Sequence, residues 1–202
     1  MAALRIGVLG GTFDPPHYGH LALAQHARDQ LGLERVLWVP AGDPWRKAEA
    51  AVSPSEHRLA MAHLAIAGNE AFQVDAREAG RPGPSYTVET LAELQAESPS
   101  DELVFLLGAD ALMDLPNWHD AARLIQLALL GAVARSGVRP AAATLDALLP
   151  GLSARVGWFE MPRMDISASD LRRRAAAGRS LRDLVPPAVE DYIVGHRLYS
   201  KA

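Results

Sequence analysis

The chain has 202 residues, no cysteine and a net charge of −4, with 49% hydrophobic and 22% charged residues. That profile suits one folded domain with a real core and excludes disulfides, thiolate nucleophiles and cysteine metal sites. A weakly acidic chain also argues against a general nucleic-acid binder, though not against a local cationic pocket. "RIGVLGG" near the start reads as a strand running into a turn. "HLALAQHARDQLG" then places Leu21, Ala24, Arg28 and Leu31 at helical spacing, with Gly32 as the stop. "RVLWVP" is a second strand, closed by Pro40. "SPSEHRLAMAHLAI" opens a helix, with Ser53 expected as N-cap, Pro54 at the first position and Glu56 completing a capping box. "FQVDA" is a strand, and "SYTVETLAELQ" a helix with Val88, Leu91 and Leu94 inward. "ELVFLLGAD" is almost continuously apolar, as a strand covered on both faces must be. "ALLGAVAR" and "RVGWFEM" are further candidate strands, while the Ala/Pro/Gly-rich residues 136–153 carry no assignable element. "SDLRRRAAAG" and "PAVEDYIVGHRLY" end the chain as helical stretches.

Strands alternating with helices predict an α/β fold, a parallel sheet with helices on both faces. Ligands of such sheets bind beyond the carboxyl ends of the strands. The stretch "GGTFDPPHYGH", Gly10 to His20, lies there, after the first strand. Gly10 and Gly11 would let backbone N–H groups approach a ligand. Pro15 and Pro16 would hold the loop extended. His20 falls near a helix start, where unpaired N–H groups and the dipole favour anions, and His17 lies one turn earlier. Together these features predict a polyphosphate site. Two other readings stay open: a His-x-x-His metal pair, for which no third ligand is obvious, and a turn with two surface histidines. The stretch is not a P-loop. With no long apolar run for export or membrane insertion, no membrane association is expected and the cytoplasm is the expected compartment.

This stretch resembles the (T/H)xGH signature of the nucleotidylyltransferase superfamily, and its full form is similar to that of bacterial nicotinate-nucleotide adenylyltransferases. The resemblance continues through "WVPAGDPWRK", "SYTVETL", "FLLGADALMDLPNWH", "ISASDLRRR" and "VPPAVEDYIVGHRLY", in the family's order. It implies a Rossmann-like doubly wound parallel sheet with a small C-terminal helical part. A single domain over 1–202 would contain residues 165–202 as that helical subregion. It implies transfer of the adenylyl group of ATP to nicotinate mononucleotide, giving deamido-NAD and pyrophosphate, with Mg²⁺ carried by ATP.

Carried over residue by residue, the resemblance puts Gly10, Gly11, Thr12, Phe13, His17 and His20 on ATP. Thr12 would also reach the mononucleotide. "ISASDLRRR" matches IS(S/T)xxIR, with Ser167, Ser169 and Arg172 on the phosphates. Ser169 is expected to cap the helix, and Arg172 can donate a bidentate fork. Gly108 and Asp110 would lie by the nucleotide, Asp110 on ribose hydroxyls, with a turn aspartate as the plainer reading. Trp118 of "LPNWH" would stack on the pyridine ring, or simply pack in the core. Tyr86 and Thr87 would lie near the nicotinate carboxylate, where Tyr86 packs in the core as readily as it meets ligand. "AGDPWRK" departs from the family pattern. Asp43, Trp45 and Arg46 stand where neutral, proline and histidine residues are common, while Lys47 is kept and would bind the acceptor phosphate. Asp43 belongs to the same expected subsite, in a role its charge makes hard to assign.

The implied chemistry is in-line attack by the acceptor phosphate on the α-phosphorus, with no covalent intermediate. His17, His20, Lys47 and Arg172 would supply the donors. No carboxylate cluster suggests a protein-built metal cage, so no protein metal site is expected. Phosphopantetheine adenylyltransferases share the opening motif, but "SYT" and "LPNWH" speak against them. A non-catalytic nucleotide sensor need not keep two histidines and Arg172. ATP and nicotinate mononucleotide are therefore the expected partners, and a homo-oligomer stays open.

Overall fold

The computed structural model describes residues 3–43, 52–134 and 139–200. Six parallel strands form one sheet in the order β3-β2-β1-β4-β5-β6, with helices on both faces. The strands are β1 (Arg5–Gly11), β2 (Arg35–Pro40), β3 (Phe72–Val74), β4 (Glu102–Leu107), β5 (Leu129–Val133) and β6 (Val156–Phe159). The helices are α1 (Tyr18–Leu31), α2 (Ser55–Ile66), α3 (Thr87–Glu97) and α4 (Ala109–Met113). They continue as α5 (Ala121–Leu127), α6 (Ala142–Leu148), α7 (Ala168–Ala176) and α8 (Pro187–Gly195). This strand order reverses between β1 and β4, the arrangement of a Rossmann-like sheet. Among the described residues, no helix is long and apolar enough to cross a membrane.

The expected strands all form. Residues 136–153, unassigned from sequence, contribute α6 and the start of a 3-10 turn, Leu152–Arg155; residues 135–138 lie outside the described set. Gly32 sits at φ +65°, the left-handed conformation that ends α1 without Cβ strain. In α3, Val88, Leu91 and Leu94 are buried as their spacing requires. In α1 the buried pair is Ala24 and Ala27 rather than the larger leucines.

Contacts group the chain into two compact units. One comprises Met1–Gly10, Leu23–Leu37 and Tyr86–Arg163. Its β4 pairs in parallel with β1 and β5, Ile6 opposite Leu103 and Leu106 opposite Gly131. Leu103 to Leu107 are all buried, which is why the β4 sequence shows no polar alternation. The other unit comprises Gly11–Ala22, Trp38–Ser85 and Met164–Ala202. Its core gathers Met61 of α2, Leu171 of α7, Leu181, Val185, and Val189 and Ile193 of α8. The tail helix therefore packs into this core.

The second unit also buries a charge. Arg58 of α2 is 1% exposed. Its guanidinium donates to the carbonyls of Thr12 (3.1 Å), Gly42 (2.8 Å) and Ser53 (2.8 Å), and closely to that of Ala41. This bonding displaces the expected capping box. α2 starts at Ser55 with Pro54 as N-cap and no side-chain cap. Ser53 instead offers its carbonyl to Arg58 and its N–H to Asp14 Oδ2 at 3.1 Å. Arg58→Met would keep the apolar stem and strand these carbonyls without their donor. The expected cost is ~3–5 kcal/mol, the size typical of breaking a buried charged network. It should appear as a lower urea midpoint at unchanged m-value.

Candidate active site

The loop leaving β1 is built around Phe13. Its backbone is left-handed at φ +49°, unusual for a bulky residue. Its side chain is 1% exposed. The ring stacks on Trp38 at 5.0 Å and meets His20 edge-on at 5.1 Å. Phe13, expected at ATP, is thus a core anchor of the loop. Neither glycine has a positive φ. A Cβ on Gly10 would lie 3.3 Å from the Phe105 ring, and one on Gly11 would lie 3.1 Å from the Phe13 ring. Both positions admit an aromatic neighbour. The Asp14–Pro15 peptide is cis.

His17 and His20 meet as the motif predicts. Their rings stack at 3.7 Å with a 28° tilt. The His17 N–H donates to His20 Nδ1 at 3.2 Å. A nitrogen that accepts carries no proton, so the neutral His20 ring holds its proton on Nε2. His17 is buried, and loss of hydration pulls its pKa down to about 4. Its Nδ1 is buried with no hydrogen-bond partner. At neutral pH this imidazole is an uncharged donor rather than a cation. The helix start beside it is partly occupied. Tyr18 N–H already donates to the Leu184 carbonyl at 3.1 Å, and His20 N–H to the His17 carbonyl at 2.9 Å. The dipole of α1 remains, but its N–H groups are less free than the sequence suggests.

Arg172 of α7 returns to this loop, its Nη1 donating to the Asp14 carbonyl at 2.8 Å. The cap of α7 is Ser167, whose hydroxyl accepts from Asp170 N–H at 3.2 Å. Ser169, expected there, lies one residue inside the helix, because the extended backbone a cap requires occurs at Ser167. Arg173 is exposed and pairs with Asp170 at 3.2 Å, while Arg174 donates to the Ser180 carbonyl. Gly11, Thr12, His17, His20 and Arg172 therefore share one compact unit. Asp43 shares it too, exposed, its carbonyl accepting from Ser85 N–H at 2.9 Å. Trp45, Arg46 and Lys47 lie outside the described residues.

Of the expected acceptor residues, Tyr86, Thr87, Asp110 and Trp118 belong to the other unit, with Gly10 and Gly108. Thr87 opens α3, which has no side-chain cap. Tyr86 stacks on His119 at 4.1 Å and 23°. Trp118 is half-buried, with Phe105 edge-on at 5.8 Å. Asp110 is exposed on α4, whose N-cap is Gly108. Among the described residues, no group of three or more His, Asp or Glu could hold a metal ion.

Sequence reasoning missed four residues in the loop's unit. Asp14, Arg58 and Tyr199 form the network under the loop, and only their long sequence separations connect them. Gly19 had a readable signal, a glycine inside a helix that would prefer alanine. A Cβ there would fall 3.0 Å from His17 Cε1 and Nδ1. Gly19 makes room for the buried imidazole.

Residues 8–174 match the family described as cytidylyltransferase-like, which places the chain among the nucleotidyltransferases. It is 47% identical over 195 residues to a protein of Thermomicrobium roseum, covering 96% of this chain and 91% of that one. It is 48% identical over 199 residues to one of Roseiflexus sp., covering 98% and 100%. Both carry the name "Probable nicotinate-nucleotide adenylyltransferase". The structure of Plasmodium falciparum nicotinic acid mononucleotide adenylyltransferase complexed with NaAD superposes with TM-score 0.79, at 19% identity and 97% coverage of both chains. At that identity the likeness concerns the fold. The chain belongs to the nicotinate-nucleotide adenylyltransferase family.

Two measurements check the histidine geometry. An unfolded histidine titrates near 6.5 and folded His17 near 4. Above pH 6.5 both states hold it neutral, and it contributes no slope. Between 6.5 and 4 the unfolded chain binds a proton that the folded chain refuses, so stability falls as pH falls. The full loss from this group is on the order of 3 kcal/mol. Denaturant titrations across that window should show the slope, and His17→Gln should remove it. Gly19→Ala should gain helix propensity yet displace the His17 ring. The expected result is an unchanged or higher melting temperature with turnover lowered ~10–100-fold.

Proposed function

We propose that this enzyme joins ATP to nicotinate mononucleotide by direct in-line adenylyl transfer, yielding deamido-NAD and pyrophosphate. The observation that carries the reading is the meeting of His17, His20 and Arg172 at one loop, with the His20 tautomer fixed by a backbone N–H. His20 Nε2 donates to the α,β-phosphate region and strengthens that bond as charge grows on the leaving pyrophosphate. Neutral His17 adds a donor without introducing a second cation beside it. Arg172 keeps further N–H groups beyond the one spent on Asp14, and these grip the outer phosphates. Gly11 and Thr12 border the triphosphate, with Gly10 and Gly108 by the nucleotide. Ser167 and Ser169 lie at the start of α7, next to Arg172.

Magnesium enters with ATP, since its hard oxygen ligands can come from phosphates and water. Lys47 is assigned to the acceptor phosphate. Thr87 at the open start of α3 binds the nicotinate carboxylate, with Tyr86 beside it, and Trp118 faces the pyridine ring. Asp110 takes ribose hydroxyls, and Asp43 borders the mononucleotide. Residues 1–202 act as one nucleotidylyltransferase domain, with 165–202 its helical C-terminal part, working in the cytoplasm.

Pyrophosphate release from MgATP with nicotinate mononucleotide tests the reading, with the nicotinamide nucleotide and phosphopantetheine as competing acceptors. The acid should win over the amide by tens to thousands in kcat/KM, at ~1–3 kcal/mol for each polar group left unpaired. Comparable values would point to a dual-specificity enzyme. His20→Ala should lower kcat ~10²–10³-fold, as expected for one transition-state donor. Near-normal turnover in that variant would remove His20 from the mechanism.

A further inference from the structure

The chain's penultimate described residue reaches the loop that precedes the paired histidines. The Tyr199 hydroxyl donates to Asp14 Oδ1 at 2.7 Å, across 185 sequence positions. Asp14 is 1% exposed, and its other oxygen takes the Ser53 N–H at 3.1 Å. On the same residue, the main-chain carbonyl takes Arg172 Nη1 at 2.8 Å. Asp14 thus joins two contacts of different kind, a side-chain contact to the tail and a main-chain contact to a phosphate-binding arginine. We propose that Tyr199 is a positioning residue for ATP: by holding the Asp14 carboxylate it keeps that carboxylate off the Arg172 guanidinium and fixes the carbonyl on which Arg172 is braced.

Competition is the physical basis. An arginine prefers a carboxylate, with its charge and bidentate geometry, to a single amide carbonyl. Arg172 bonds the weaker acceptor although the stronger one belongs to the same residue. Tyr199 and Ser53 occupy the carboxylate, and Arg58 lies close enough to feel its charge. Tyr199 is itself well placed. Its backbone is left-handed at φ +65°, and its ring packs on the core around Leu181, Val185 and Ile193. Burial and the neighbouring carboxylate push its phenol pKa well up, so it remains a donor throughout the working pH range. Without its hydroxyl, Asp14 Oδ1 would draw Arg172 inward, away from the triphosphate.

The inference rests on the adenylyl-transfer reading for its choice of ligand, and its test needs no turnover. Tyr199→Phe keeps the ring and its packing and removes only the hydroxyl. Calorimetric titration with MgATP, without acceptor, should show affinity reduced about tenfold, the effect of misplacing one charge-assisted contact. Titration with nicotinate mononucleotide should stay within about twofold. Equal weakening for both ligands, or unchanged MgATP affinity, would overturn the proposal. Asp14→Asn removes the competing charge, so adding Tyr199→Phe to it should cost little further MgATP affinity; additive losses would also overturn it. A wild-type protein that binds MgATP but releases no pyrophosphate with nicotinate mononucleotide would sink the activity reading alone. The MgATP arm and the double-variant cycle would still decide the role of Tyr199.

Discussion

The Asp14 carboxylate sits where a negative charge should be least welcome, inside a loop that reads as a polyphosphate site. Its charge is spent on the protein. Tyr199 and the Ser53 N–H hold its two oxygens, with the Arg58 guanidinium close by. Arg58 in turn ties down the carbonyls of Thr12, Ala41, Gly42 and Ser53. A buried network of this kind gains little net energy, because desolvating the charges offsets most of their attraction. What it provides is geometry. Three separate backbone segments are held by one guanidinium, and the loop leaving β1 can then take a single shape. The left-handed backbone at Phe13 and the packing of its ring on Trp38 depend on that hold.

The histidine pair is the next layer. Stacked imidazoles would repel if both were protonated, and burial of His17 removes that conflict by keeping it neutral. Its backbone N–H then selects the His20 tautomer. The two residues sit in different environments, His17 buried and neutral and His20 bonded through Nδ1, although the motif presents them as equivalents. Gly19 completes the arrangement by omission, since any side chain there would press on the His17 ring.

Legibility from sequence follows the range of the physics. Local periodicity placed the strands, the inward face of α3 and the glycine stop of α1. The apolar run of β4 declared a strand covered on both sides. Caps were less legible. Ser53 and Ser169 are both good capping residues, yet the caps fall at Pro54, one position on, and at Ser167, two positions back. The motif drew attention to His17, His20 and Arg172, but not to the aromatic rings that the missing side chains of Gly10 and Gly11 admit. Arg58 and Tyr199 were illegible for a simpler reason. Their partners in the loop leaving β1 lie 46 and 185 positions away, and nothing in a local window marks a buried arginine or a tail tyrosine as part of that loop.

Adenylyl transfer explains why so much structure serves so few donors. In the direct transfer proposed above no protein nucleophile takes part, so no covalent bond would fix the geometry during the reaction. The enzyme must rely on donors already aimed at the positions where charge will develop. Donors carried on a loop are accurate only when that loop is braced by groups whose own positions are fixed. Arg172 illustrates the point, because one of its N–H groups is given to the Asp14 carbonyl rather than kept for ligand. That bond restricts a long side chain before any phosphate arrives. The entropy of ordering it is then largely settled on folding rather than on binding. The tail tyrosine, the buried arginine and the glycine beneath His17 serve the same end, which is to let a flexible-looking Gly/Pro loop behave as a rigid one.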